Sequence, residues 1–453
     1  MRNTPSFDSY ALVIYFGAMR KKAAPKDFVF VRAMGGIEEY TLRKNGLRVL
    51  FHKDTSAPLG VVMVTYHVGS RNEAAGYTGA THMLEHLLFK GSKHFNKERG
   101  GLLHNILETT GAYLNADTYL DRTRYFEVVP KEHIELAIRA EADRMRNATF
   151  SDADRQTEMP VVRNEFERGR NNPLEVLDEQ LWGPAFHAHP YHHPTIGWRS
   201  DIEHIPTSRL RFFYDLFYWP NNATVIVFGD IERNEALRAV AREFGKHKAS
   251  AEPIPPMYTE EPPQEGERRI TIFRPGGMRV AGIAHKTPAG LHADTPALLL
   301  LEKILNEGRS SRFEKNLIEK GIAAGVDVFA HPLHDPGLFI VYATLTPQGK
   351  HEEAERAVSA TYRAIAAKGV GPKELKKAKA QLLSDMAFHR DGVRARADVV
   401  SESISLGDWT FSERIEKMLQ KVTSADIKRI AGTYFTDDGK TVGYLKEEYE
   451  KKN

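Results

Sequence analysis

Two stretches of this chain, about 217 to 220 residues apart, run through the same order of strand and helix signals. In the first, "LRVLFHKD" (Leu47 to Asp54) and "LGVVMVTYHVG" (Leu59 to Gly69) read as strands rich in β-branched residues. A helical pattern follows, then the strand "RTRYFEVV" (Arg122 to Val129) and the helix "KEHIELAIRAEADRMRN" (Lys131 to Asn147). In the second, "RRITIFRP" (Arg268 to Pro275) and "RVAGIAHKT" (Arg279 to Thr287) precede helical "TPALLLLEKILNE" (Thr295 to Glu307). The strand "GLFIVYATLT" (Gly337 to Thr346) and a helix from Gln348 to Gly369 come next. A further charged helix starts near Ser151 in one stretch and near Gly371 in the other. The matching order predicts a duplicated α+β unit: two halves, each a mostly antiparallel sheet with helices packed on it. Between them "HKASAEPIPPMYTEEPPQEGE" (His247 to Glu267) is rich in proline and charge and has no apolar period. The expected division is an N-terminal extension (1–30), a first domain (31–246), this linker (247–267) and a second domain (268–453).

The stretch "THMLEHLLFKG" (Thr81 to Gly91) puts three ionisable side chains among leucine, methionine and phenylalanine, where each costs free energy unless something satisfies it. On a helix ending toward Gly91, His82 and His86 are one turn apart on a single face, with Glu85 beside them. Two imidazoles at this spacing with an adjacent carboxylate suit a zinc ion and a base for its bound water. The order H-x-x-E-H inverts the commoner H-E-x-x-H. The bland reading is two surface histidines, of 19 in the chain. The apolar neighbours argue against it.

The chain has no cysteine, so any bound metal must use His, Asp, Glu or water. A third ligand should come from another element. "SDADRQTEMPVVRNEFERGRNNP" (Ser151 to Pro173) supplies candidates on a helix opened by the Ser151–Asp154 capping pair. Glu158 and Glu165 are two turns apart on one face, while Glu167 points elsewhere. Pro160 should kink this helix.

Taken together, "HMLEH", Glu165 in "VVRNEFERGRNNP" 79 residues after His86, and "GAYLNADTYLDRTRYFEVV" (Gly111 to Val129) resemble the pitrilysin/insulinase (M16-type) family of zinc peptidases. The likeness extends from about Ile37 to Tyr444 and includes the duplicated halves, which in that family form half of a clam-shell. It implies a zinc-dependent endopeptidase acting on unstructured peptides. Its zinc ligands would be His82, His86 and Glu165, one ion per chain, with Glu85 as general base and Glu158 as a carboxylate supporting the ligands. It implies also that Asn115, Ala116, Asp117 and Thr118 lie on a sheet edge that binds substrate as an extra strand.

The second half departs from the pattern. The positions matching the zinc motif read "LLLLEKIL" and hold no histidine pair. In "GRSSRFEKNLIEKGIAAGV" (Gly308 to Val326), Ile318 and Ala324 stand where peptide-cleaving relatives carry an arginine and a tyrosine. The resemblance therefore implies a heterodimer with a homologous subunit that supplies the pair. The competing reading is a non-catalytic structural or processing-complex subunit of the same family, which would be expected to have lost zinc ligands.

Net charge of +3 gives no general reason to bind nucleic acid. No apolar run reaches the roughly 20 residues of a membrane span. "YALVIYFGA" (Tyr10 to Ala18) is apolar like a signal peptide, but Asp8 precedes it and "MRKK" (Met19 to Lys22) follows. That charge order is wrong for export. A cytoplasmic location, with Met19 as the true start, is expected ahead of a periplasmic one.

Overall fold

A computed structural model describes residues 24–96 and 101–448. The apolar segment Tyr10 to Ala18 and the alternative start at Met19 lie outside these residues. Among the described residues, no helix is long and apolar enough to cross a membrane.

Seven strands of the first half form one sheet: β1 (Phe28–Met34), β2 (Ile37–Leu42), β3 (Arg48–Lys53), β4 (Leu59–Tyr66), β5 (Tyr113–Thr118), β6 (Thr123–Pro130) and β7 (Ala223–Gly229). Their order is β1-β2-β3-β7-β4-β6-β5, and only β3 and β7 run parallel. The second half contributes β8 (Arg268–Arg274), β9 (Val280–Lys286), β10 (Ala323–Ala330), β11 (Leu338–Leu345) and β12 (Lys440–Glu447). These are ordered β8-β12-β9-β11-β10, again with one parallel pair, β12 with β8. Set against β3-β7-β4-β6-β5, the second sheet repeats the first strand for strand. The duplication read from the sequence is thus a repeat of topology, with the β1–β2 hairpin added to the first half.

Along the central strands both faces of each sheet are buried, and the alternation along β4 shows how. Val62 and Val64 join the core formed with the first half's own helices, while Val61 and Met63 point to the opposite face. That opposite face is covered from the other half. Val393, Ala397, Val400 and Ile404, on the helix Val393–Ser405, pack with Trp409 on Leu50, Val61, Met63, Ile226 and Phe228. The exchange is reciprocal. Leu177, Leu181 and Trp182, on the helix Pro173–Ala185, cover Val280, Ala284, Ile340 and Leu445 of the second sheet. Gly282 and Gly443 make room for this crossing helix. A Cβ at Gly282 would lie 2.6 Å from Leu181 Cδ1, and one at Gly443 2.9 Å from Leu177 Cδ1. Charge stitches the same seam: Arg122, just before β6, pairs with Glu402, and Arg124 Nη1 lies 3.2 Å from Asp398 of the second crossing helix.

Candidate metal centre

The motif helix runs Ala80–Leu87, stopping short of Gly91. Its start is fixed by a buried carboxylate: Glu73 accepts the backbone N–H of Gly79 and that of Thr81, both at 2.7 Å. Burial pushes the Glu73 carboxyl up to about 8, though these bonds oppose the rise. Gly79 itself has φ +83°, and a Cβ there would lie 2.4 Å from the Ile196 carbonyl oxygen, so only glycine fits. Met83, Leu84 and Leu87 go into the core, which turns His82, Glu85 and His86 outward on the other side.

The third element is the helix Asp152–Asn171, capped by Ser151 and Asp154 as its sequence indicates. It continues through Pro160, and Glu158 and Glu165 both face the motif helix. His82 Nε2 and His86 Nε2 each lie 3.5 Å from the same atom, Glu165 Oε2. The three ligand atoms fall within 4.8 Å of one another, and no other trio of His, Asp or Glu comes as close among the described residues. Glu167 is turned away toward Arg163 and Arg199.

Burial, with His86 beside it, brings His82 down to about 3, so its imidazole is neutral and keeps a lone pair for a ligand. Two imidazole nitrogens and a carboxylate oxygen aimed at one point are a divalent-metal donor set of the zinc type, and they leave a fourth position open. The residues present therefore fit the ion. Behind them, Glu158 Oε2 is 3.2 Å from His86 Nδ1, and its other oxygen pairs with Lys90. Such an outer carboxylate fixes which ring nitrogen faces the metal. Lys90, four residues beyond His86, is marked in the sequence only by that spacing.

Glu85 stands beside the trio, with burial raising its carboxyl to about 7. The Thr118 hydroxyl donates to Glu85 Oε2 at 2.6 Å. Thr118 ends β5, the edge strand of the seven-stranded sheet, so edge and base meet there. Of the four residues expected to bind substrate, Asn115 is exposed, with its amide oxygen accepting the Ala116 N–H at 2.9 Å. Ala116 is buried in the core. Asp117 is engaged by Arg122 and Arg124, and Thr118 by Glu85. The side chains of Asp117 and Thr118 are committed inside the protein, so what those two positions offer is backbone. A cleft of about 310 Å³ opens beside Glu165, walled by Tyr119, Phe166, Val176, Trp182 and Ile196.

In the second half Ile318 and Ala324 are apolar, as the sequence states. Ile318 ends a short helical turn packed on the second core, and Ala324 is an exposed residue of β10.

Residues 48–198 match the family model described as insulinase (peptidase family M16), and residues 204–382 match the M16 inactive domain. The chain is 30% identical over 420 residues to a zinc protease, PqqE, of Helicobacter pylori, covering 90% of this chain and 92% of that one. It is 26% identical over 413 residues to a probable mitochondrial-processing peptidase subunit beta of Schizosaccharomyces pombe, covering 88% and 89% respectively. A crystal structure of a protease from Helicobacter pylori superposes with a TM-score of 0.85 at 29% identity, over 90% of this chain and 99% of that one.

Proposed function

The chain belongs to peptidase family M16, the insulinase family, and from that premise we propose that it is a zinc-dependent endopeptidase subunit that hydrolyses unstructured peptides. The observation that carries this reading is the convergence of His82 Nε2, His86 Nε2 and Glu165 Oε2, with Glu85 alongside. The zinc proteases among its relatives support the choice of metal.

What zinc supplies when bound is polarisation of the scissile carbonyl and a lowered pKa for coordinated water, to about 7. The protein's own groups do the rest. Glu85 takes the proton from the water and passes it to the leaving nitrogen, and the Thr118 hydroxyl holds its carboxylate in place. Glu158 orients His86. An extended peptide adds to the free edge of β5 through main-chain hydrogen bonds, which read little sequence and so suit varied, unfolded substrates.

One part of the chemistry lacks the two donors that the resemblance leads one to expect. Hydrolysis passes through a tetrahedral oxyanion, and one donor aimed at such a charge is worth about 3 to 4 kcal/mol. The side chains of Ile318 and Ala324 have nothing to donate. The active species is therefore a heterodimer with a homologous chain bearing an arginine and a tyrosine at these positions. A relative named as a subunit of a processing peptidase supports an assembly of this kind. A location in the cytoplasm goes with this reading.

Zinc content and peptide cleavage, with and without a chelator, test the function. Assaying the chain alone and mixed with such a homologue tests the partner. One zinc per chain and chelator-sensitive cleavage on mixing are expected. A zinc-free chain that stays inactive in every mixture would favour a structural subunit instead.

A further inference from the structure

The repeat of topology continues into the site. A shift of 217 residues lays the motif helix on the helix Thr295–Asn306, and burial fixes that register. From Ala80 to Phe89 and from Ala297 to Asn306, the same six positions are buried and the same four half-buried. A shift of 220 residues lays the helix Asp152–Asn171 on the helix Pro372–Phe388. Both helices open alike: the Ser151 N–H donates to Asp154, and the Gly371 N–H to Glu374.

Under these shifts His82 falls on Leu299, Glu85 on Glu302, His86 on Lys303, Glu158 on Ala378 and Glu165 on Asp385. The counterparts meet as the originals do. Lys303 Nζ lies 2.7 Å from Asp385 Oδ2 and 3.4 Å from Glu307 Oε2. The Lys303 and Asp385 side chains are 17% and 41% exposed, against 17% and 39% for His86 and Glu165. Glu302 accepts the backbone N–H of Ala330, the last residue of β10, at 3.0 Å, much as Glu85 accepts from Thr118, the last residue of β5.

From this correspondence we infer that the second half keeps the frame of a metal site in which the Lys303 ammonium takes the cation's place, so that Leu299→His with Lys303→His would open a second divalent-metal site there. An ammonium set against Asp385 supplies by hydrogen bond the positive charge that a metal would supply by coordination. It also bars a divalent ion from the same spot by like-charge repulsion. Leu299 takes away the remaining nitrogen ligand. The inference rests on the reading of His82, His86 and Glu165 as a metal site.

The test counts metal per chain and records the cobalt(II) absorption spectrum for the wild type, for L299H/K303H, and for L299H/K303H combined with E165Q. The wild type should take one ion and the double variant two. The combined variant should keep one tightly bound ion, held by the second half. Since Asp385 is one methylene shorter than Glu165, D385E is added to the double variant to restore reach. A folded triple variant that still takes no more metal than the wild type overturns the inference. A wild type that takes none overturns the first-half reading instead, and a gain of one ion in the double variant would still uphold this one. Should the second-half variants fail to fold, the reciprocal H82L/H86K decides. It should fold, take no metal and melt no lower than the metal-free wild type, and a lower melting point would count against the shared frame.

Discussion

Thr118 Oγ1 donates to Glu85 Oε2 at 2.6 Å, tying the open edge of the first sheet to the carboxylate beside the paired histidines. A β5 displaced from its place on β6 would carry this donor away from Glu85, so strand position and base position are one variable. Replacing Thr118 by valine keeps the shape and removes the donor. Burial already raises the Glu85 carboxyl to about 7, and the hydroxyl bond opposes that rise by favouring the ionised form. Without it the carboxyl should titrate higher. Because the base works ionised, activity appears only as pH rises through its pKa, so the acid limb of kcat/KM should move to higher pH. A hydrogen bond to a charged group contributes about 1.5 to 3 kcal/mol, which corresponds to a shift of about 1 to 2 pH units. An unmoved limb would separate Thr118 from the base.

Glu85→Gln removes the proton acceptor and leaves the three ligands. Zinc content and melting temperature should stay near wild type. Turnover should fall by about 10²- to 10⁴-fold, the usual worth of positioned acid–base help. A near-normal rate would transfer the role to another carboxylate, with Glu158 the next candidate.

Glu165→Gln replaces the carboxylate oxygen shared by both histidines. Affinity for zinc should drop by more than the roughly 10- to 100-fold that follows loss of an outer-sphere partner. Competition against a chromogenic chelator measures it, and wild-type affinity in the variant would remove Glu165 from the ligand set.

Leu177→Ala tests the crossing helix. Leu177 is fully buried against the second sheet, beside Gly282 and Gly443. Truncation of such a leucine costs about 2 to 5 kcal/mol. Denaturant unfolding should show that loss while bound zinc stays at wild-type stoichiometry, since the ligands lie on other helices. A cost below about 1 kcal/mol would mean that this contact adds little to the seam.

Legibility in the sequence followed the range over which each interaction acts. Residues His82, Glu85 and His86 could be grouped on one face because helix geometry alone places them there. Glu165 needed a contact between two helices, and it was reached through resemblance to a family rather than through spacing. Strands β4, β9 and β11 stand out as apolar runs, being buried on both faces. Their apolarity said nothing about what lay on each face. No local pattern could reveal that Pro173–Ala185 and Val393–Ser405 would trade sheets, since a helix with a buried side looks the same whichever sheet receives it. The resemblance marks Asp117 and Thr118 as part of the substrate edge, but no local pattern tells where their side chains go. Their partners Arg122, Arg124 and Glu85 are set by tertiary placement.

The exchange of helices bears on how such a chain is made. Synthesis runs from the N-terminus, and domains commonly fold as they emerge. Here β7 completes the first sheet at Gly229, yet the helix that seals its outer face starts only at Val393. Until then Leu50, Val61, Met63, Ile226 and Phe228 have no cover from that helix. The nascent first half should thus carry an open apolar face while most of the second half is being translated. Cutting the gene at the proline-rich linker should give two insoluble fragments that become soluble when expressed together.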